Sequence, residues 1–442
     1  MKKSIVLVQP FTHGRSTVRP LGLGYLASHL IKGGYRVSVI DNDIYRLSGK
    51  DLADRIISCS PDVAGITTNL LNKWNAIELA GILKDRVGYI VFGGPEASIR
   101  PEWFLREKNY FVSRGESEKG FAEFMKYAQG QTGLEGVKGF SFLNSQNEVI
   151  NNPPAELEVN LDNIFFPDTE LFEMDKYTNR FEGRLSTNII SSRGCPFKCI
   201  FCYHRLNGRF RQRSPQNVID EMRLLKKRYG YTAFKFFDDN FTLKKTFIYE
   251  FCERLLEENM GIYWQCLSSA RNVDEEMLRL MRRSGCRQIS FGIESGSARS
   301  LKMMGKSSRV EDNARAIDLC RKIKIKSKAY ITIGYPWEGH EDFMLTIDFI
   351  KKHTPDYAQA FIVYPFSNTD LERLVMQGGY HIDYEIIKGV RDLDVPSFET
   401  TNFTKEDLVN WRRRIVEAHT DALGKWGLRK IVHGLKRKFK KK

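Results

Sequence analysis

Arg193-Gly-Cys-Pro-Phe-Lys-Cys-Ile-Phe-Cys-Tyr203 sets three thiols, Cys195, Cys199 and Cys202, at spacings of four and three, just after an apolar run over 188–192 that reads as a β-strand. Iron–sulfur clusters ordinarily take four Cys thiolates, so three on one loop leave a metal position open to an exchangeable ligand. Downstream, strand and helix alternate about six times, with strands expected near 188–192, 233–238, 262–267, 288–293, 330–334 and 360–364. Between the first two, Ser214-Pro215 opens a helix whose face carries Val218, Met222 and Leu225, and Gly230 stops it. Six such units make a partial parallel barrel, and the cysteine loop falls at the carboxyl end of its first strand, where barrels place their chemistry. A structural zinc site would close on four ligands, and no second Cys pair or His-x3-His follows at finger spacing. The other five cysteines are dispersed through apolar segments and read as small buried hydrophobes, too few for a second cluster.

The pattern Cys-x3-Cys-x-aromatic-Cys, with Phe201 as the aromatic, resembles the radical S-adenosylmethionine (SAM) superfamily. The resemblance implies a 4Fe–4S cluster on Cys195, Cys199 and Cys202 whose open iron chelates the amino and carboxylate groups of SAM. An electron from the cluster then cleaves SAM to a 5′-deoxyadenosyl radical. Further SAM contacts are implied at Phe201 and Tyr203 and at the ends of the later strands. Asp238-Asp239-Asn240 occupies the place where many members carry Gly-Gly-Glu for the methionine amino group, although a plain polar turn would read the same. Ser268 and Arg271 follow the third strand, and an arginine suits a carboxylate through a bidentate pair, whether of methionine or of a substrate. Glu294, in Gly292-Ile-Glu-Ser-Gly296, resembles the ribose or amino contact, and 331–338 resembles the strand beside adenine. Gly305-Lys306 also fits the pattern and is read as an exposed structural element.

Ahead of the cysteine loop, apolar β-branched runs at 5–9, 36–41, 63–68, 89–93 and 110–114 alternate with helical patterns such as 21–32 and 75–85, which predicts a doubly wound parallel sheet. Such sheets bind ligands at the carboxyl ends of their strands. Those ends carry Pro10-Phe11, Asp41, Thr67-Thr68-Asn69, Gly93-Gly94-Pro95-Glu96 and Arg114-Gly115-Glu116, and the glycines let backbone approach a large ligand. No Gly-x-Gly-x-x-Gly opens the first helix, which counts against a dinucleotide. With Pro20-Leu21-Gly22-Leu-Gly-Tyr-Leu26, Gly33-Gly-Tyr-Arg-Val-Ser-Val-Ile-Asp41 and Pro61-Asp-Val-Ala-Gly65, these pieces are similar, in order and spacing, to the cobalamin-binding domain that precedes the core in one large radical SAM class. That implies cobalamin contacts at Pro10, Phe11, Leu21, Gly22, Asp41, Thr67, Thr68, Asn69, Gly93, Gly94, Pro95, Glu96, Gly115 and Glu116. The chain lacks the Asp-x-His-x-x-Gly run that gives cobalt a histidine elsewhere, as members of this class often do. His13 follows the first strand, but Thr12 and Gly14 do not fit that run, so it reads as a surface histidine. A domain that has lost cobalamin is the alternative.

The expected organisation is an α/β chain: a cobalamin-binding domain over 1–145, a polar linker over 146–180, a partial (β/α)6 barrel over 181–367, and a helical region over 368–442 that caps the barrel mouth. Net charge is +15, but 425–442 holds nine Lys and Arg without an acid, which leaves +6 for the rest, so nucleic acid is not demanded. Leu428, Ile431, Val432, Leu435 and Phe439 recur there at helical spacing: either a basic amphipathic helix with weak affinity for anionic membrane, or a solvated terminus. No run of about eighteen apolar residues offers a membrane span and no signal-peptide core opens the chain, so the cytoplasm is expected; its reducing conditions suit free thiols.

The resemblance implies a cobalamin-dependent radical SAM methyltransferase acting on an unactivated carbon. SAM would serve both as methyl source through cobalt and as radical source, with a small-molecule or lipid-linked substrate and an electron donor such as flavodoxin or ferredoxin. Cyclisation, ring contraction or carbon–carbon coupling without methyl transfer stays open. So does a non-catalytic iron–sulfur or membrane-surface binding protein. Methylthiolation would need three more cysteines upstream, where only Cys59 stands.

Overall fold

Two seven-stranded sheets carry the chain. The computed structural model describes residues 3–12, 18–203, 209–386, 388 and 395–439, with side chains as far as 424. His13 and the side chains of the basic segment therefore lie outside the described residues.

In the first sheet β1 (Ser4–Gln9), β2 (Arg36–Asp41), β3 (Val63–Thr67), β4 (Tyr89–Gly93) and β5 (Tyr110–Ser113) run parallel in the order β2-β1-β3-β4-β5. Alternate residues feed opposite layers, which is why these strands read as unbroken apolar runs. Ile5, Leu7, Val91 and Phe111 pack under the helices Leu21–Lys32 and Glu118–Ala128. Val6, Val8, Ile66 and Phe92 pack under Gly49–Ser58 and Lys73–Leu83. The order reverses between β1 and β3, so a crevice opens there above the strand ends. Two antiparallel strands, β6 (Phe140–Leu143) and β7 (Val149–Asn151), extend the sheet beyond β5, the second from within the stretch read as linker.

The second sheet opens with a hairpin of β8 (Arg180–Phe181) and β9 (Arg184–Ile189), whose turn residues Glu182 and Gly183 both have positive φ, 50° and 77°. A two-strand ladder follows, β10 (Ser192–Arg193) with β11 (Arg211–Gln212). Strands β12 (Ala233–Phe236), β13 (Tyr263–Ser268), β14 (Cys286–Glu294), β15 (Lys326–Ile333) and β16 (Tyr357–Ile362) continue β9 as a parallel half-barrel. The first barrel strand thus ends before Ser192, which belongs instead to the small ladder. The helix Pro215–Tyr229 starts and stops as predicted: the Ser214 hydroxyl accepts the Asn217 amide at 3.2 Å, and Gly230 takes φ 73°.

The segment between the sheets binds both. On the first, the Tyr177 hydroxyl donates to Asp41 at 2.8 Å and Ser28 donates to the Phe166 carbonyl at 2.6 Å; on the second, the Tyr229 hydroxyl donates to Thr169 at 2.9 Å. The helix Lys405–Phe439 lies against β16 and the helix His340–His353, burying Leu408, Ile415 and Ala418. The region 368–442 is expected from sequence as a cap over the barrel mouth; among the described residues this helix lines neither cavity described below, and its apolar face covers the open edge of the second sheet. Among the described residues no helix is long and apolar enough to cross a membrane.

Candidate active site between the two sheets

The cysteine loop is held by backbone. The Ile200 amide donates to the Met304 carbonyl and the Leu371 amide to the Ile200 carbonyl, each at 3.0 Å, while the Cys202 amide closes on Cys199 at 3.1 Å. Gly305 backs the loop at φ 68°, and a Cβ there would stand 3.1 Å from the Lys198 carbonyl. None of the three thiols is tied up in a disulfide, and each is half-buried. No three His, Cys, Asp or Glu side chains among the described residues are already gathered round a metal position. The donor set nonetheless suits a cluster that takes three thiolates. Phe201 meets Tyr335 edge-on at 5.7 Å, and Tyr203 packs on Phe366 at 5.1 Å.

Asp238, expected to face SAM, is buried and turned into the sheet. It accepts the Ser191 amide at 3.0 Å, the Ser191 hydroxyl at 2.7 Å and the Ser192 hydroxyl at 2.5 Å. It therefore clamps the strand end that launches the cysteine loop; burial pushes its carboxyl up while the serines pull it down. Asp238→Ala strands three buried donors and is expected to cost about 3 kcal/mol in denaturant unfolding, with Asp238→Asn recovering part of it. An unchanged midpoint for the alanine variant would contradict the clamp. Asp239 instead lines the cleft. Asn240 accepts the Ser269 amide at 3.3 Å and keeps a buried Nδ2 without a partner. Ser268 is buried against Thr242, and Arg271 is exposed on a one-turn helix, so neither lines the cleft.

Lys306 is not the exposed residue expected. Its side chain is 11% accessible, and its ammonium lies 3.2 Å from Glu294, which also accepts the Thr332 hydroxyl at 2.8 Å. Glu294 adopts φ 61°, and a Cβ on Gly292 would sit 2.6 Å from its Oε1, so both backbone positions are shaped around this carboxylate. Burial works against the Lys306 charge, but Glu294 and then Cys199 hold its pKa above the ordinary range. Burial raises the Cys199 thiol and Lys306 opposes that.

Glu338 ties the end of β15: it accepts Gly334 and Tyr335 amides at 2.9 and 3.1 Å and the Ser300 hydroxyl at 2.6 Å. Burial lifts its carboxyl from 4.5 to about 7 despite these bonds. The folded state thus binds this proton more tightly than the unfolded one. Its contribution is complete below pH 4.5 and is lost as pH rises through about 7. At about 1.4 kcal/mol per pH unit, this group alone should take about 3 kcal/mol from the unfolding free energy across that window. Glu338→Gln should make the curve shallower, leaving a trend of similar size and the same sign from Asp41, which burial raises from 3.8 to about 6. An unaltered profile would show that Glu338 stays ionised.

Between the sheets lie two adjoining cavities of about 620 and 470 Å³ that share Leu21, Pro95, Tyr203 and Phe237. Of the residues expected to hold cobalamin, Gly22, Thr67, Gly93, Gly94, Gly115 and Glu116 line the larger, and Asp41, Asn69 and Glu96 the smaller. Pro10, Phe11 and Thr68 line neither. The first two have their carbonyls held by Asn72 and Asn75, and Thr68 is wholly buried, its hydroxyl bridging the Gly93 carbonyl and the Ala97 amide. The larger cavity runs inward past Leu7, Gly65, Val91 and Phe121, and a Cβ on Gly65 would stand 2.8 Å from Leu7. Its wall also carries hydroxyls, from half-buried Ser98 and Ser117 and buried Ser113. An apolar floor with a hydroxyl-bearing wall fits a broad ring with amide arms and a heterocyclic tail.

Glu116 does more than line this space: Arg193 donates to it at 2.9 Å and to Glu118 at 2.8 Å, and Arg211 forms a second ion pair with it. Sequence reading missed this clamp, as well as Phe237 and Asn188 in the cavity wall. Ion-pair partners 75 to 95 residues apart leave no local signal.

A three-thiol loop at the mouth of a parallel half-barrel, facing the switch point of a doubly wound sheet, defines a radical SAM barrel joined to a corrinoid-binding domain. The radical SAM superfamily model matches residues 189–350 and the B12 binding domain model residues 12–125. The chain is 34% identical over 379 residues to the uncharacterized methyltransferase PH0819 of Pyrococcus horikoshii, spanning 83% of this chain and 82% of that one. Its fold is similar to that of the radical SAM methyltransferase TsrM from Kitasatospora setae, solved with cobalamin and a 4Fe–4S cluster: TM-score 0.73, 19% identity, 86% of this chain and 76% of that one. OxsB, a cobalamin-dependent radical SAM enzyme solved with aqua-cobalamin and SAM, superposes with TM-score 0.76 at 19% identity over 93% of this chain and 66% of that one. The chain belongs to the radical SAM enzymes that carry an N-terminal cobalamin-binding domain. Its cofactors are SAM, a 4Fe–4S cluster and cobalamin.

Proposed function

We propose that this enzyme methylates an unactivated carbon of a small molecule bound in the cleft between its two sheets. One observation carries the reading: the cysteine loop and the carboxyl ends of β1 to β5 open onto a shared space, with Tyr203 and Phe237 in the walls of both cavities. Bound there, the cluster supplies an electron to the sulfonium of SAM, and cobalamin supplies a carrier for a methyl group. The chain's own part is placement. Cys195, Cys199 and Cys202 are the cluster's ligands. Asp239, which faces the larger cavity, takes the role expected of Asp238 toward the SAM ammonium. Lys306 and Glu294 place a compensated charge pair beside Cys199, and Phe201 and Tyr335 keep water from that side. Gly94 and Gly115 let backbone approach the corrinoid. The electron comes from outside the chain, from a flavodoxin- or ferredoxin-type donor, in a reducing cytoplasm.

The test is anaerobic protein reconstituted with iron, sulfide and hydroxocobalamin, desalted, and assayed for metals. About four irons and one cobalt per chain are expected. Methyl-deuterated SAM with reductant should then yield about one equivalent of S-adenosylhomocysteine before any substrate is added. Iron without cobalt would remove cobalamin from the reading. Cobalt retained with 5′-deoxyadenosine but no S-adenosylhomocysteine would replace methyl transfer by radical cyclisation or coupling.

A further inference from the structure

The concave face of the half-barrel carries charges that the cofactor sites leave unused. Residues in register on neighbouring parallel strands point the same way. Asn188, Lys235, Gln265 and Gln288 therefore form one row across β9, β12, β13 and β14. The row faces the lumen: Asn188 lines the smaller cavity, and Phe237, two residues beyond Lys235, lines both. Lys328 stands one row nearer the carboxyl ends of the strands, paired in register with Ser290. The Gln288 amide donates to Gln265 at 3.2 Å, which ties the row together.

Lysines facing this lumen divide into two kinds. Lys306 and Lys326 are neutralised by Glu294 at 3.2 Å and Glu182 at 2.6 Å. Lys235 and Lys328 have no carboxylate within salt-bridge distance among the described residues. Each lies over an aromatic ring two residues on, Phe237 and Tyr330, at 4.8 Å. Burial, and then the charge of Lys328, lower the pKa of Lys235, so Lys235 feels its neighbour across the trough. Lys235 is exposed and Lys328 half-buried, and two like charges on one concave surface floored with amide donors repel one another until an anion sits between them.

We infer that Lys235 and Lys328 hold an anionic group of the substrate, a phosphoryl or carboxyl group, with Gln265 and Gln288 completing its hydrogen bonds. The anchor lies below the cysteine loop and Phe237 lies above it, so the rest of the molecule is directed up toward the cleft. The inference rests on the methyltransferase reading only in taking the anion to be part of the molecule that is modified. The binding itself is measurable without turnover.

The reconstituted full-length protein is titrated at constant ionic strength with inorganic phosphate and, separately, with acetate, followed by calorimetry. Saturable phosphate binding is expected, weakened about tenfold in Lys235→Met or Lys328→Met, lost in the double variant and restored by Lys235→Arg. Acetate binding alongside phosphate would widen the site to carboxylates; phosphate alone would narrow it to phosphoryl groups. The measurement that needs no variant is amine footprinting: phosphate should protect Lys235 and Lys328 of the wild type from acylation. Absence of saturable binding by either anion, or equal affinity in the double variant, overturns the inference. An equal loss of SAM affinity in the double variant also overturns it, since the lysines would then serve the methionine carboxylate. Failure to find cobalt or methyl transfer leaves these readouts untouched, so the two readings fall separately.

Discussion

Alanine at Cys199 is expected to abolish formation of 5′-deoxyadenosine while shifting stability by no more than about 0.5 kcal/mol. The loop that carries this thiol keeps its shape through backbone bonds, from Ile200 to Met304 and from Leu371 to Ile200, and none of these involves the sulfur. What is lost is one of three ligands to a cluster that already lacks a fourth, so iron content after reconstitution should fall well below about four per chain. Cys320→Ala is the internal control: that thiol is fully buried under the second sheet and should leave iron and turnover in place at the cost of a small cavity. Iron and sulfide assays with product chromatography decide the matter. A Cys199→Ala protein with full iron and full turnover would place the cluster elsewhere.

Gly94→Ala should separate the cofactors. Gly94 adopts φ 87° and ψ −177°, a region open essentially to glycine alone. A Cβ there would stand 2.4 Å from the Thr68 carbonyl and 3.0 Å from the Thr67 hydroxyl, inside the knot where the Thr68 amide and hydroxyl both bond the Gly93 carbonyl. Backbone strain and overlap together cost about 4 kcal/mol. The residue lines the larger cavity, so the displaced turn narrows the space read as the corrinoid site. Cobalt retained after desalting should fall at least about tenfold, equivalent to about 1.4 kcal/mol of lost affinity, while iron stays with the cysteine loop. Metal analysis beside a melting curve checks both halves. Undiminished cobalt would move the corrinoid away from this turn.

The parallel strands were legible because strands covered on both faces leave continuous apolar runs, and Leu21–Lys32 and Pro215–Tyr229 announced themselves through periodicity and, for the latter, Ser214, Pro215 and Gly230. Strands β6 and β7 were not, being short, antiparallel and set among polar residues, β7 with all three residues exposed. The three-thiol loop stood out by its spacing alone. Asp238 and Asp239 could not be told apart, since which carboxylate turns toward Ser191 and which toward the cleft depends on strand pleat. Lys306 misled for a related reason: a lysine is ordinarily exposed, and the carboxylate that buries it stands twelve residues away on a separate element.

Arg193 stands two residues before Cys195, yet the carboxylates that hold it, Glu116 and Glu118, belong to the other sheet's domain. The start of the cysteine loop is therefore set partly by a neighbour that contributes no cysteine. In recombination or laboratory chimeras, the N-terminal domain is not an interchangeable cassette. A replacement lacking acids at these two places leaves a buried guanidinium unpaired beside the loop, and the graft carries its defect into the half of the molecule that was never exchanged.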